Sequence, residues 1–215
     1  MNNNWPYDSI VVSGADAQTY LHSQLSQDLR GLAVGAESWS FVLEPTGRVV
    51  ALVLVRRTGE ESFELRVDRG WGEALATRLN RFRIRVKADI APGEGSAGDP
   101  AAYLVERVRA GWPAMGAEIT EATIPAELGH VVPQAVSFSK GCYPGQELVE
   151  RMDSRSAQAP RRLALVRLAV GAVLDGSIGE VTSSIPDGDG VLALALVRRG
   201  ADVPGEIALG DPAQG

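Results

Sequence analysis

Lys140-Gly141-Cys142-Tyr143-Pro144-Gly145-Gln146-Glu147 holds the only cysteine of the chain. Glycines at 141 and 145 flank the thiol, Pro144 stiffens the turn, and an amphipathic run over 148–155 follows. The pattern predicts a tight turn that opens into a helix over 145–152. The first N–H groups of a helix point at what precedes it, and the macrodipole adds partial positive charge there. Lys140 and Arg151 add positive potential nearby. All three effects favour thiolate over thiol, so Cys142 is a candidate low-pKa cysteine. The competing reading is a small buried hydrophobe. A core cysteine sits inside an apolar period, however, and this one does not.

Bulk composition narrows the classes. The chain has 215 residues, 45% hydrophobic and 22% charged, which is ordinary globular composition for one large domain or two small ones. A formal net charge of −6 argues against nonspecific nucleic-acid binding, which runs on phosphate neutralisation. Arg78, Arg81, Arg83, Arg85 and Lys87 could form a basic patch, but their alternation reads as the wet face of a strand. A single cysteine rules out an internal disulfide, so nothing points to an oxidising compartment. No apolar run reaches membrane-span length, and Met1-Asn-Asn-Asn-Trp-Pro6 lacks the basic-then-apolar form of a signal peptide. The expectation is a soluble cytoplasmic protein with no membrane contact. One cysteine and two histidines cannot supply four soft ligands, so no resident metal is expected. A cluster shared through Cys142 with outside thiols stays open.

Along the chain, 10–12 reads as a strand and Ser13 or Asp16 as the cap of a helix over 17–29. Strands over 39–43 and 48–57 form a hairpin across Glu44-Pro45-Thr46-Gly47. A strand at 63–67, a helix at 72–82 and a strand at 84–90 complete an α+β layered unit. The Gly/Pro stretch 91–100 reads as a mobile loop, and 101–109 as a helix. From 160 onward, short strands with glycine turns predict a small β-barrel. The expected division is 1–159, an α+β folate-binding-like domain open to two subdomains, and 160–215, the barrel.

The cysteine turn K-G-C-Y-x-G-Q-E resembles the YgfZ family. These are folate-binding proteins that support iron–sulfur enzymes, and they are related to the aminomethyltransferase (T-protein) of the glycine cleavage system. The likeness extends in order along nearly the whole chain. Gly14-Ala-Asp-Ala17 with Tyr20-Leu-His-Ser-Gln24-Leu-Ser-Gln-Asp28 resembles the family's N-terminal stretch, and Pro45-Thr-Gly47-Arg48 its hairpin. Arg107 through Gly111-Trp-Pro113 resembles its R-x-E-A-G-x-P segment. Gly179-Glu-Val-Thr-Ser183 with Ala193-Leu-Ala-Leu-Val197 resembles the superfamily's C-terminal barrel.

The resemblance implies α+β subdomains and a β-barrel around a central opening that takes tetrahydrofolate or a derivative. Gln24, Asp28 and Arg107 stand on matching positions as folate contacts, with Gly145, Glu147 and Arg151 from the cysteine motif. Their plain readings are a helix-surface amide, a helix-end carboxylate and a solvated arginine for the first three. Cys142 carries the chemistry, Lys140 supports the thiolate, and Tyr143 and Gln146 shape the turn. Implied partners are iron–sulfur enzymes or cluster-assembly proteins, tRNA-modifying enzymes among them. Two departures stand out. Ala51 and Leu52 lie where the aminomethyltransferase carries an acid, so its one-carbon chemistry lacks a proton-handling group. Arg109 stands where the family has a glutamate for the pterin ring. A one-carbon transferase, a Cys–His hydrolase using His22 or His130, and a module in which Cys142 is structural remain as alternatives.

Overall fold

The strand Ser62-Phe-Glu-Leu-Arg-Val-Asp68 buries Phe63, Leu65 and Val67 and leaves Glu64 and Arg66 half-buried, the period of a strand covered on one face. The computed structural model describes residues 4–154 and 159–209. Strands β1 (Tyr7–Ser13), β2 (Glu37–Leu43), β3 (Val49–Gly59), β4 (Ser62–Asp68) and β5 (Asp89–Pro92) form an antiparallel sheet in the order β2-β3-β4-β1-β5. Helices α1 (Ala17–Gln24) and α2 (Gly72–Arg81) bury Tyr20, Leu21, Leu75 and Leu79 in the same apolar cluster as Phe41, Val53, Phe63 and Leu65. Helix α3 (Pro100–Arg109) starts at Asp99, whose carboxylate accepts from the N–H groups of Ala101 and Ala102. A 3₁₀ segment (Pro125–Val131), α4 (Val132–Ala135) and α5 (Gln146–Ser154) follow.

A second antiparallel sheet uses β6 (Arg161–Ala169), β7 (Gly179–Asp187), β8 (Gly190–Arg198) and β9 (Glu206–Ile207) in the order β7-β8-β6-β9. The expected barrel is, in the described residues, this four-stranded sheet. One of its faces, with Leu163, Leu165, Leu192 and Leu194, enters the main apolar cluster. The other, with Ala164, Val166, Ala193 and Ala195, builds a cluster of its own.

Several expectations are corrected. Helix α1 stops at Gln24, and Leu25 turns extended with ψ 151°. The cause is Ser26: its hydroxyl accepts from Phe41 N at 2.9 Å and donates to Ala135 O at 2.6 Å, so β2 and α4 draw the segment out of the helix. Leu25 and Leu29 stay fully buried, which explains why the apolar spacing looked helical throughout. Asp16 stands at the N-cap, yet its side chain accepts from Lys87 N at 2.8 Å rather than from its own helix. The strand expected at 84–90 begins at Asp89, because Arg85 adopts φ 56° and breaks the extended path. The basic alternation is therefore no strand face; Arg78 and Arg81 lie in α2 and Arg78 is buried. The stretch 91–100 is tied down by Gly93 N to Ser9 O at 2.7 Å, by paired bonds between Tyr7 and Ser96, and by Asp99 N to Asn4 O at 2.9 Å.

A buried ion pair ties α3 to β7 of the second sheet. Glu118, fully buried, accepts from Arg107 Nη1 at 2.9 Å, Ala114 N at 2.9 Å, Thr182 Oγ1 at 2.7 Å and Ser183 Oγ at 2.6 Å. Arg107 Nη2 also donates to Ser183 Oγ at 2.6 Å. Four donors saturate the carboxylate, so its burial is compensated. Arg107→Ala strands that charge and is expected to lower stability by about 3–5 kcal/mol. Arg107→Ala with Glu118→Gln should lose less than the two single changes summed, read from urea midpoints.

Candidate functional site

Cys142 is exposed, four residues before α5 begins. Two contacts hold its turn, one on each side. On the first, Lys140 is 6% exposed, and its Nζ donates to His22 O and Leu25 O at 2.5 Å each. These carbonyls belong to the end of α1, where backbone acceptors lack intrahelical partners. The same Nζ lies 5.0 Å from the centre of the Tyr143 ring, a cation–π contact. Lys140 thus serves the C-terminus of α1, where a cation also meets the negative end of the dipole. Burial pushes its ammonium down to about 8.

On the second side, Gly145 adopts φ 84°, and a Cβ there would lie 2.7 Å from Glu44 O and 2.9 Å from Gly47 Cα. Gly47 adopts φ 85°, and a Cβ there would lie 2.6 Å from Leu148 Cβ. Two left-handed glycines therefore face one another where the hairpin turn meets the start of α5, and only glycine allows the approach. Inside the turn, Gln146 Oε1 accepts from Tyr143 N at 3.3 Å and its Nε2 donates to Glu150 Oε1 at 2.5 Å. Glu147 and Arg151 are exposed on α5, while Val149 is buried. A cavity of about 530 Å³ flanks α5, with Phe138, Leu148 and Met152 among its walls.

The end of α1 gathers the other predicted residues. Gln24 is buried and its Oε1 accepts from Arg78 Nη1 at 3.2 Å. Arg78 also donates twice to Leu43 O, at 3.1 and 2.6 Å, and stacks 4.1 Å from the Phe82 ring. Asp28 holds Arg30 Nη2 at 2.6 Å and faces His22 Nδ1 at 3.5 Å. Hydrogen bonds from Arg30 hold the Asp28 carboxyl well below the usual carboxylate range. Burial, then the Lys140 charge, push the His22 imidazole down. Lys140 thus links the cysteine turn to Gln24, Asp28 and His22 through the end of α1.

Arg107 belongs elsewhere. Its guanidinium is committed to Glu118, and it lines a cavity of about 570 Å³ with Trp39, Tyr103, Glu106, Arg109, Ala110, Trp112 and Gln134. Trp39 and Trp112 stand 4.8 Å apart, tilted by 48°. Trp5 backs Trp39 at 5.6 Å and stacks on Tyr103 at 6.4 Å. Asp68 anchors this aromatic group, accepting from Trp5 Nε1 at 2.6 Å, Tyr103 OH at 3.1 Å and Met115 N at 2.8 Å. Burial pushes the Asp68 carboxyl up. Asn4 Nδ2 donates to Glu106 Oε1 at 2.8 Å, and Gln134 Nε2 donates to His130 O at 3.2 Å. The sequence reading missed the aromatic members. No sequence signal marked them, because Trp5, Trp39 and Trp112 are far apart in the chain and meet only in the fold. Flat aromatic faces beside a carboxylate and an amide suit a flat heteroaromatic ligand with a donor edge.

Lys140→Met leaves two carbonyls at the α1 end without their donor and should lower stability by about 1–3 kcal/mol. The folded-state value near 8 lies below the ordinary 10.5, so between those pH values the unfolded chain binds more protons. Wild-type stability relative to Lys140→Met is therefore expected to rise with pH across that window. Paired urea midpoints at neutral and alkaline pH check the sign.

No family model matches the chain. The chain is 29% identical over 189 residues to a protein of Haemophilus influenzae (strain ATCC 51907 / DSM 11121 / KW20 / Rd) described as uncharacterized, across 70% of this chain and 68% of that one. Among solved structures, the glycine cleavage system aminomethyltransferase T from Bartonella henselae superposes with a TM-score of 0.72 at 18% identity, covering 89% of this chain and 76% of that chain. At that identity the likeness establishes the fold: an α+β arrangement of antiparallel sheets similar to aminomethyltransferase T.

Proposed function

We propose that this chain is a folate-binding accessory protein that supports assembly or repair of iron–sulfur enzymes, tRNA-modifying ones among them, through Cys142. One observation carries the reading. Cys142 is exposed at the apex of a turn whose two flanks are held, by Lys140 on α1 and by Gly145 on the hairpin turn. A rigidly presented, accessible thiol suits engagement of a cluster or of a client's sulfur, and a buried packing cysteine would not be presented so. The cavity flanking α5 offers client side chains a surface along the helix that follows the thiol.

The folate part rests on the family resemblance, on the aminomethyltransferase-like fold and on the fit of the aromatic cavity. In that cavity Trp39, backed by Trp112, would stack on the pterin, and Glu106 would accept from its N–H edge. When bound, such a ligand supplies one-carbon or redox chemistry. An accessory role is favoured over aminomethyl transfer because Ala51 and Leu52 are apolar and buried where an acid is expected. No described helix is long and apolar enough to cross a membrane.

Cells lacking the protein, complemented with wild type or Cys142→Ala, test the reading through an iron–sulfur-dependent tRNA methylthiolation under oxidative stress. Wild type is expected to restore modification and Cys142→Ala to leave it low. Equal rescue by both removes the cysteine from the mechanism, and rescue by neither removes the accessory role.

A further inference from the structure

Helix α3 presents two opposite charges to the aromatic cavity, Glu106 and Arg109, spaced i,i+3 and so neighbours on one helix face. They do not pair with each other: Glu106 takes the Asn4 amide, and Arg109 has no hydrogen-bond or ion-pair partner among the described residues. Arg107, two positions earlier, is closed off by its pairing with Glu118. Arg109 therefore brings the one uncommitted cation among the residues lining this cavity, and it is exposed at that wall. A guanidinium is a planar fork matched to a carboxylate or phosphate.

We infer that Arg109 makes this cavity select a flat heteroaromatic ligand that carries an anionic group beside its stacked ring. The inference rests on the pterin-stacking part of the folate reading above and goes beyond it, because a folate carries its carboxylates on its glutamate tail and not beside the ring. Trp39, half-buried and backed by the buried Trp112, supplies the face, Glu106 accepts from the N–H edge, and Arg109 pairs with the anion. A neutral ring without that substituent leaves Arg109 with solvent only. The two charges also reject simple alternatives. An anion without a donor edge meets Glu106 unfavourably, and a cation meets Arg109 unfavourably.

Equilibrium dialysis with two matched probes, pterin-6-carboxylate and 6-methylpterin, tests this at near-neutral pH and low salt, using the fluorescence of the pterins themselves. Wild type is expected to bind the carboxylate about tenfold more tightly, the scale of one charge-assisted hydrogen bond at a half-open site. Added salt should narrow the preference. Arg109→Gln should erase it and Arg109→Glu should reverse it. Arg109 is exposed, so both variants are expected to fold, as circular dichroism checks. Equal affinities in wild type, or a preference that survives in Arg109→Gln, overturn the role of Arg109 while leaving pterin binding in place. No binding of either pterin or of 5-formyltetrahydrofolate overturns both this inference and the folate reading.

Discussion

A helix that ends after eight residues leaves carbonyls without donors, and Lys140 answers two of them at the end of α1. Much of the candidate site depends on that bond. It carries the cysteine turn across more than a hundred residues of chain to the place where Gln24, Asp28 and His22 lie. It buries the ammonium against Tyr143 and leaves Cys142, two residues on, in solvent. The lysine read from sequence as support for a thiolate is first of all a structural clamp. The charge it carries faces carbonyl oxygens and an aromatic ring, and those hold it in place against the desolvation that pushes its ionisation down.

The opposite flank is held by exclusion rather than attraction. Gly145 and Gly47 adopt the left-handed conformation and approach so closely that a methyl group on either would overlap its neighbour. The hairpin motif and the cysteine motif, a hundred residues apart in sequence, are thereby the two halves of one contact. Held on both sides, the apex has little freedom to withdraw its thiol into the core. That geometry separates presentation of the thiol from protein stability: one is set by the apex, the other by its flanks.

The aromatic cavity has a different foundation. Asp68 fixes Trp5 and Tyr103 from beneath, and Glu118 with Arg107 ties α3 to β7, so the helix that carries Glu106 and Arg109 is anchored at its buried face. The fold is similar to that of aminomethyltransferase T, while the side chains at Ala51, Leu52 and Arg109 are apolar, apolar and basic. Fold and chemistry are separable because the sheets and core need only apolar period and volume, whereas the site needs particular side chains at particular places.

Periodicity alone determined most elements of the first sheet, since alternation in β4 and the Pro-x-Gly turn before β3 are local facts. The cysteine turn and the helix after it were equally local. Where the sequence misled, a distant partner had overruled a local preference. Ser26 left α1 for β2 and α4, Arg85 broke a strand whose charges alternated correctly, and 91–100 was pinned by β1 and Asn4. The same holds for side chains. No spacing rule says that Lys140 will reach the end of α1, that Arg107 will meet Glu118 and Ser183, or that Trp39 and Trp112 will share a cavity. Local sequence determines which backbone conformations and which faces are favourable. Only the tertiary structure decides which buried charges and rings find each other, because burial makes an unpaired polar group costly and only the packed chain supplies its partner.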